Sequence, residues 1–115
     1  MKAKEDNLQA AVVTYLRLEY KALFCASLGG QYQKYQSQRM KAKRTGYIAG
    51  FPDLFIYEPK GVYNGLAIEL KVKGNYASPK QKEWISKLND RGYLAEVCTG
   101  FDDAKKTIDN YFNLK

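Results

Sequence analysis

The chain has no histidine, and among its 115 residues only two cysteines, three prolines and one tryptophan. Without an imidazole, Ser-His-Asp triads and the other histidine-based acid–base schemes are excluded. A structural zinc site goes with them, because Cys25 and Cys98 are isolated from each other and have no histidine to join. Any metal must therefore be bound through oxygen, which points to Mg²⁺ or Mn²⁺. No run of some twenty apolar residues occurs, so no membrane-spanning helix is expected. The start Met1-Lys2-Ala3-Lys4-Glu5-Asp6 lacks the apolar stretch of a signal peptide. Both cysteines lie in apolar segments and read as reduced, buried fillers of a cytoplasmic protein.

Acidic residues are in the minority: 12 Asp and Glu against 19 Lys and Arg, a net charge of +7 with a pI near 9.4. Such an excess favours polyanions, nucleic acid first, although a surface serving solubility alone has the same composition. At 115 residues a single domain over positions 1–115 is expected. A chain of that size buries roughly two thirds of its unfolded surface, and 45% hydrophobic residues suffice for the core.

Leu8, Val12, Tyr15 and Leu16 recur at helical spacing, which predicts an amphipathic helix from 6 to about 20. Leu23-Phe24-Cys25-Ala26 fits a short strand ended by Gly29-Gly30. Residues 31–45 are polar and basic, with room for a short helix ending at Gly46. Leu54-Phe55-Ile56-Tyr57 and the run Leu66 to Val72 are the clearest strands, and the turn-rich segment between them predicts an antiparallel hairpin. Ser78-Pro79-Lys80-Gln81 is a helix start: Ser caps, Pro takes the first helical position, and Gln81 can close a capping box. Trp84, Ile85 and Leu88 form that helix's apolar face, and Gly92 stops it. A fourth strand from Tyr93 to Cys98 and a last helix from near Asp102, burying Ala104, Ile108, Tyr111 and Phe112, complete the chain. Strands interleaved with helices predict an α/β architecture around a mixed sheet.

Chemistry concentrates in Gly50-Phe51-Pro52-Asp53-Leu54 and Ile68-Glu69-Leu70-Lys71. The two-residue period of a strand puts Glu69 and Lys71 on one face, roughly 7 Å apart. If the hairpin pairs Tyr57 with Gly65, Asp53 lies opposite Glu69 with its side chain on the same side; a slip of one residue would send it to the other face. In that register Asp53 and Glu69, with the backbone carbonyl of Leu70, can hold a divalent cation, and Lys71 can orient or deprotonate an attacking water. An acid and a lysine two apart on a solvated strand are equally compatible with no role at all.

Three further positions carry two readings each. Glu5 and Gln9 share a helix face and can reach an active site from the side, Glu5 through water; otherwise Glu5 is a favourable first-turn acid. Gln81 can touch Lys71 or substrate, or serve the capping box alone. Lys73, Lys80 and Lys82 add positive charge around a helix N-terminus suited to phosphate. In the basic stretch Lys34, Arg39, Lys41, Lys43 and Arg44, interleaved with Tyr32 and Tyr35, can grip a DNA backbone or form a solvated face.

Taken in order, Glu5 with Gln9, Gly29-Gly30, Gly50 to Leu54, Glu69-Leu70-Lys71, Ser78 to Gln81 and the closing Asp102-Asp103-Ala104 helix resemble the VRR-NUC domain of the PD-(D/E)xK nuclease superfamily. The resemblance implies a restriction-endonuclease-like αβββαβ core, a central mixed sheet flanked by helices. It implies Mg²⁺ or Mn²⁺ on Asp53 and Glu69, Lys71 as a catalytic residue, and supporting roles for Glu5, Gln9 and Gln81. The short chain is similar to small stand-alone phage-type members and through them to Holliday junction resolvases, which implies a homodimer cutting four-way DNA junctions. Less selective nicking or flap cleavage, and a non-catalytic DNA-binding module, are the alternatives.

Overall fold

The computed structural model describes residues 2–27, 40, 41 and 43–115, with residues 2 and 3 described by backbone alone. Helix α1 (Lys2–Glu19) leads into strand β1 (Phe24–Ala26), followed by β2 (Leu54–Ile56), β3 (Leu66–Lys71), α2 (Pro79–Asn89), β4 (Leu94–Thr99) and α3 (Gly100–Phe112). The strands form one sheet in the order β1-β2-β3-β4, antiparallel at the first two junctions and parallel between β3 and β4. This is the expected αβββαβ succession closed by one more helix. The expected stop at Gly29-Gly30 lies outside the described residues. Residues 40, 41, 43 and 44 are helical, and Thr45 closes that turn through its N–H on the Lys41 carbonyl at 3.0 Å.

Two cores flank the sheet. On one face Val12 and Leu16 of α1 and Ala104, Ile108 and Tyr111 of α3 pack on Leu54, Ile56, Leu66, Ile68 and Leu70. On the other, Leu88 of α2 packs on Phe55, Ala67 and Ala95, with Trp84 and Ile85 beside it. β3 is therefore buried on both faces: its even positions meet α1 and α3, and Ala67 meets α2. Asn89 locks α2 to β4 by exchanging two hydrogen bonds with the backbone of Ala95, at 2.9 and 3.0 Å.

Several boundaries differ from those read in the sequence. Helix α1 starts at Lys2 rather than residue 6, because Lys2-Ala3-Lys4-Glu5 are strong helix formers with an acid in the first turn. Helix α3 begins at Gly100, two residues early, since Asp103 turns back to accept the Thr99 N–H at 2.9 Å. Cys98 is buried as expected, but Cys25 is exposed. The correction follows from topology: β1 is an edge strand of the sheet, paired with β2 alone, and among the described residues Cys25 belongs to neither core cluster.

Candidate active site

The β2–β3 register pairs Leu54 with Ile68, Phe55 with Ala67 and Ile56 with Leu66. Continued by one residue, it sets Asp53 opposite Glu69, about 4.5–5.5 Å apart at Cα for opposed residues. The Asp53 main chain is anchored on the outer side, where its carbonyl accepts the Ser27 N–H at 2.7 Å. Its carboxylate turns inward, and Oδ2 accepts the Leu70 N–H at 2.7 Å. A strand residue directs its N–H and C=O to the same side, so the Leu70 carbonyl also faces the edge where Asp53 lies. Pro52, fully buried, fixes the approach to β2.

Glu69 is only 2% exposed. One oxygen, Oε2, lies 3.4 Å from Lys71 Nζ, while Oε1 is buried with no hydrogen-bond partner among the described residues. Native interiors rarely tolerate such an orphan. Burial pushes the Glu69 carboxyl up to about 8; the Asp53 carboxylate adds to the push and the Lys71 ammonium opposes it. A cation between the acids would give Oε1 a partner and neutralise the repulsion. Among the described residues no group of three or more Asp, Glu, Cys or His comes together. The oxygens available there, two carboxylates and a backbone carbonyl, would fit Mg²⁺, an ion that keeps several waters and takes one or two carboxylates.

Around this centre the other expected residues are distributed unevenly. Lys71 is 14% exposed and sits beside Glu69. Gln81 accepts the Ser78 N–H on Oε1 at 2.8 Å while its own N–H meets Ser78 Oγ at 3.2 Å. Its oxygen therefore serves the capping box, and it makes no hydrogen bond to Lys71 among the described residues. Glu5 is exposed and Gln9 half-buried on α1. That helix packs on the sheet face opposite Glu69, and neither residue bonds to the acids among the described residues. Lys41, Lys43, Arg44, Lys73 and Lys80 are exposed; Lys34, Arg39, Tyr32 and Tyr35 lie outside the described residues.

Sequence reasoning missed what steadies the site from the α2 side. The loop before β2 lies against α2: Trp84 Nε1 donates to the Ala49 carbonyl at 3.1 Å. At Gly50 a Cβ would come within 2.8 Å of the Lys80 carbonyl oxygen, and φ is +94°. Only glycine fits both the contact and the left-handed backbone. The loop's Gly and Trp84 were visible in the sequence, but nothing local pairs positions 35 apart.

A four-stranded mixed sheet carrying two acids and a lysine at the end of its central hairpin is a restriction-endonuclease-like α/β fold. Residues 1–102 match the VRR-NUC domain family. A solved structure of a VRR-NUC domain protein shares the fold with a TM-score of 0.81 and 37% sequence identity, over 96% of this chain and 88% of that one. No curated protein matches the chain. The chain belongs to the VRR-NUC domain family, a nuclease domain, and DNA is the substrate class that this membership assigns. No helix among the described residues is long and apolar enough to cross a membrane.

Proposed function

We propose that the protein is a cytoplasmic, metal-dependent DNA endonuclease in which Asp53, Glu69 and the Leu70 carbonyl hold Mg²⁺ or Mn²⁺ and Lys71 is catalytic. The observation that carries this reading is the buried Glu69 carboxylate, its Oε2 beside Lys71 and its Oε1 without a hydrogen-bond partner among the described residues. A bound divalent cation supplies Lewis acidity at the scissile phosphate. Lys71 orients or deprotonates the attacking water and offsets negative charge growing on the phosphoryl oxygens. The water oxygen forms a new P–O bond as its proton passes to solvent or to Lys71 in its neutral amine form, the ester P–O bond on the far side breaks, and the leaving alkoxide takes up a proton from solvent. Asp53, tied to the Leu70 N–H, keeps its carboxylate from rotating away. Glu5 and Gln9 lie on the helix that covers the other sheet face, so they would act only from the side, Glu5 toward a bound cation through water and Gln9 toward DNA; Gln81 would touch Lys71 or the substrate.

For the DNA structure we propose a four-way junction cut by a homodimer, since two symmetry-related sites suit paired cuts across a two-fold branch. Support comes from the family resemblance and the basic surface. The test is cleavage of four-way junction, flap and linear duplex at one salt concentration with Mg²⁺ or Mn²⁺, beside a measurement of solution mass. Paired symmetric nicks at the junction by a dimer are expected. Equal cutting of all three marks a less selective nickase, and binding without cutting marks a DNA-binding module.

A further inference from the structure

On the outer side of α2 a cavity of about 410 Å³ opens between the helix and the loop that leads to Asp53. Its walls are apolar: Trp84 and Leu88 from the helix, and Ile48, 62% exposed, from the loop. The indole is a fixed surface, because Nε1 is bonded to Ala49 and Phe51 meets the ring edge-on at 5.2 Å between centroids. The rim is cationic. Lys80, Lys87 and Arg91 face a single acid, Glu83, which Lys87 neutralises at 2.7 Å. Arg91 is held in place by one bond from its guanidinium to the Lys87 carbonyl at 2.9 Å. An aromatic wall under two cations that make no ion pair among the described residues is complementary to a flat apolar ring attached to an anion.

We propose that this groove holds an unpaired nucleotide of the DNA substrate, its base against Trp84, Ile48 and Leu88 and its flanking phosphates on Lys80 and Arg91. Stacking of a base on an aromatic ring tolerates any sequence. A base inside a duplex has its faces covered by neighbours and cannot reach such a wall until it leaves the stack. The volume lies within the roughly 300–1,000 Å³ of small-ligand sites. Ile48 is five residues from Asp53, a span of at most about 18 Å of chain, which puts the groove within a few nucleotides' reach of the acids. The inference rests on the DNA-nuclease reading and narrows its substrate to DNA with an unpaired nucleotide close to the cut.

Trp84 is the chain's single tryptophan, so its emission reports on this groove. Metal-free protein is titrated with a short oligothymidine, an abasic strand of equal length and a blunt duplex. Oligothymidine is expected to quench Trp84 strongly and the other two weakly. The Ile48→Asp, Arg91→Glu double variant, changed at two exposed positions and checked for an unaltered melting profile, is expected to bind oligothymidine about tenfold more weakly. Equal quenching by the abasic strand or the duplex, no quenching, or unchanged affinity of the variant overturns the proposal. So does an emission change with protein concentration in the absence of DNA, which assigns the groove to a second copy of the chain. Nothing is cut without metal, so quenching without later cleavage fails the proposed function alone, and cleavage without quenching fails the groove alone.

Discussion

The carboxylate of Asp53 accepts the backbone N–H of Leu70 at 2.7 Å, across the hairpin and one residue beyond the position that Asp53 opposes. The same side chain proposed as a metal ligand therefore also satisfies a backbone donor of β3. Asp53→Ala and Asp53→Asn should separate the two tasks. Both are expected to lose cleavage. In metal-free protein the Ala variant should unfold about 1 kcal/mol more easily than the Asn variant, whose amide oxygen still accepts the Leu70 N–H. Urea unfolding of the pair measures this, and equal stability would separate the bond from the fold.

Glu69 pulls in the opposite direction. In the absence of metal its buried, unpartnered oxygen beside Asp53 is a cost to the fold, so Glu69→Gln should melt no lower than the natural protein. With Mn²⁺ the order should invert. The natural protein gains about 2.7 kcal/mol at a metal concentration one hundred times Kd, and the variant gains nothing and does not cleave. Thermal melts with and without Mn²⁺ decide it; an equal metal-induced shift in both proteins would remove Glu69 from the ligand set.

Lys71→Ala should leave that metal-induced shift largely in place while cleavage falls by about a hundredfold or more. Single-turnover cleavage at saturating Mn²⁺ is the measurement. Loss of the metal shift itself would make Lys71 a structural partner of Glu69, the only role that the 3.4 Å pair demands by itself.

What the sequence reveals about this centre is which side chains share a face, not the register that brings them together. Alternation on either side of the Glu58–Gly65 turn fixes only which face each residue takes, since a slip of two residues would keep it. The pairing of Tyr57 with Gly65 is a condition in the sequence, and the structure meets it by setting Leu54 against Ile68, which puts Asp53 opposite Glu69. How deeply Glu69 sits is not legible. Alternation along β3 suggests one open face for Ala67, Glu69 and Lys71, whereas α2, from later in the chain, covers Ala67 and leaves Glu69 2% exposed. Cys25 fails for a related reason: its exposure depends on β1 being an edge, a property of strand order. Gln81 was legible as a cap because a capping box is local, needing only Ser78 and the intervening turn.

The exposed cations of the turn at 40–44 should act through phosphates. Replacing Lys41, Lys43 and Arg44 with Ala is expected to flatten the plot of log affinity against log salt by roughly 2 to 3, at about 0.9 per lost phosphate contact on duplex DNA. Sequence preference should not change. Fluorescence anisotropy of a labelled duplex over a salt series measures the slope, and an unaltered slope would place the DNA elsewhere on the surface.

Asp109 ties α1 to α3. Tyr15 and Tyr20 donate to its Oδ1 at 2.5 and 2.6 Å, and Lys105 pairs with Oδ2 at 2.9 Å. Burial by itself would raise this carboxyl, but the two phenols and the ammonium outweigh it and hold it down at about 2. A carboxylate whose pKa is lower folded than unfolded stabilises the fold fully above its unfolded value near 3.9, and that stabilisation is lost as pH falls through about 2. With the side chain partly open to solvent, the contribution is about 1 kcal/mol. Asp109→Asn should therefore unfold at lower urea than the natural protein at pH 7, and the gap should close between pH 4 and pH 2. The two proteins differ at this side chain alone, so the difference between their unfolding midpoints reports on Asp109; a gap that stays constant down to pH 2 would show that the phenols bind the amide as well as they bind the carboxylate.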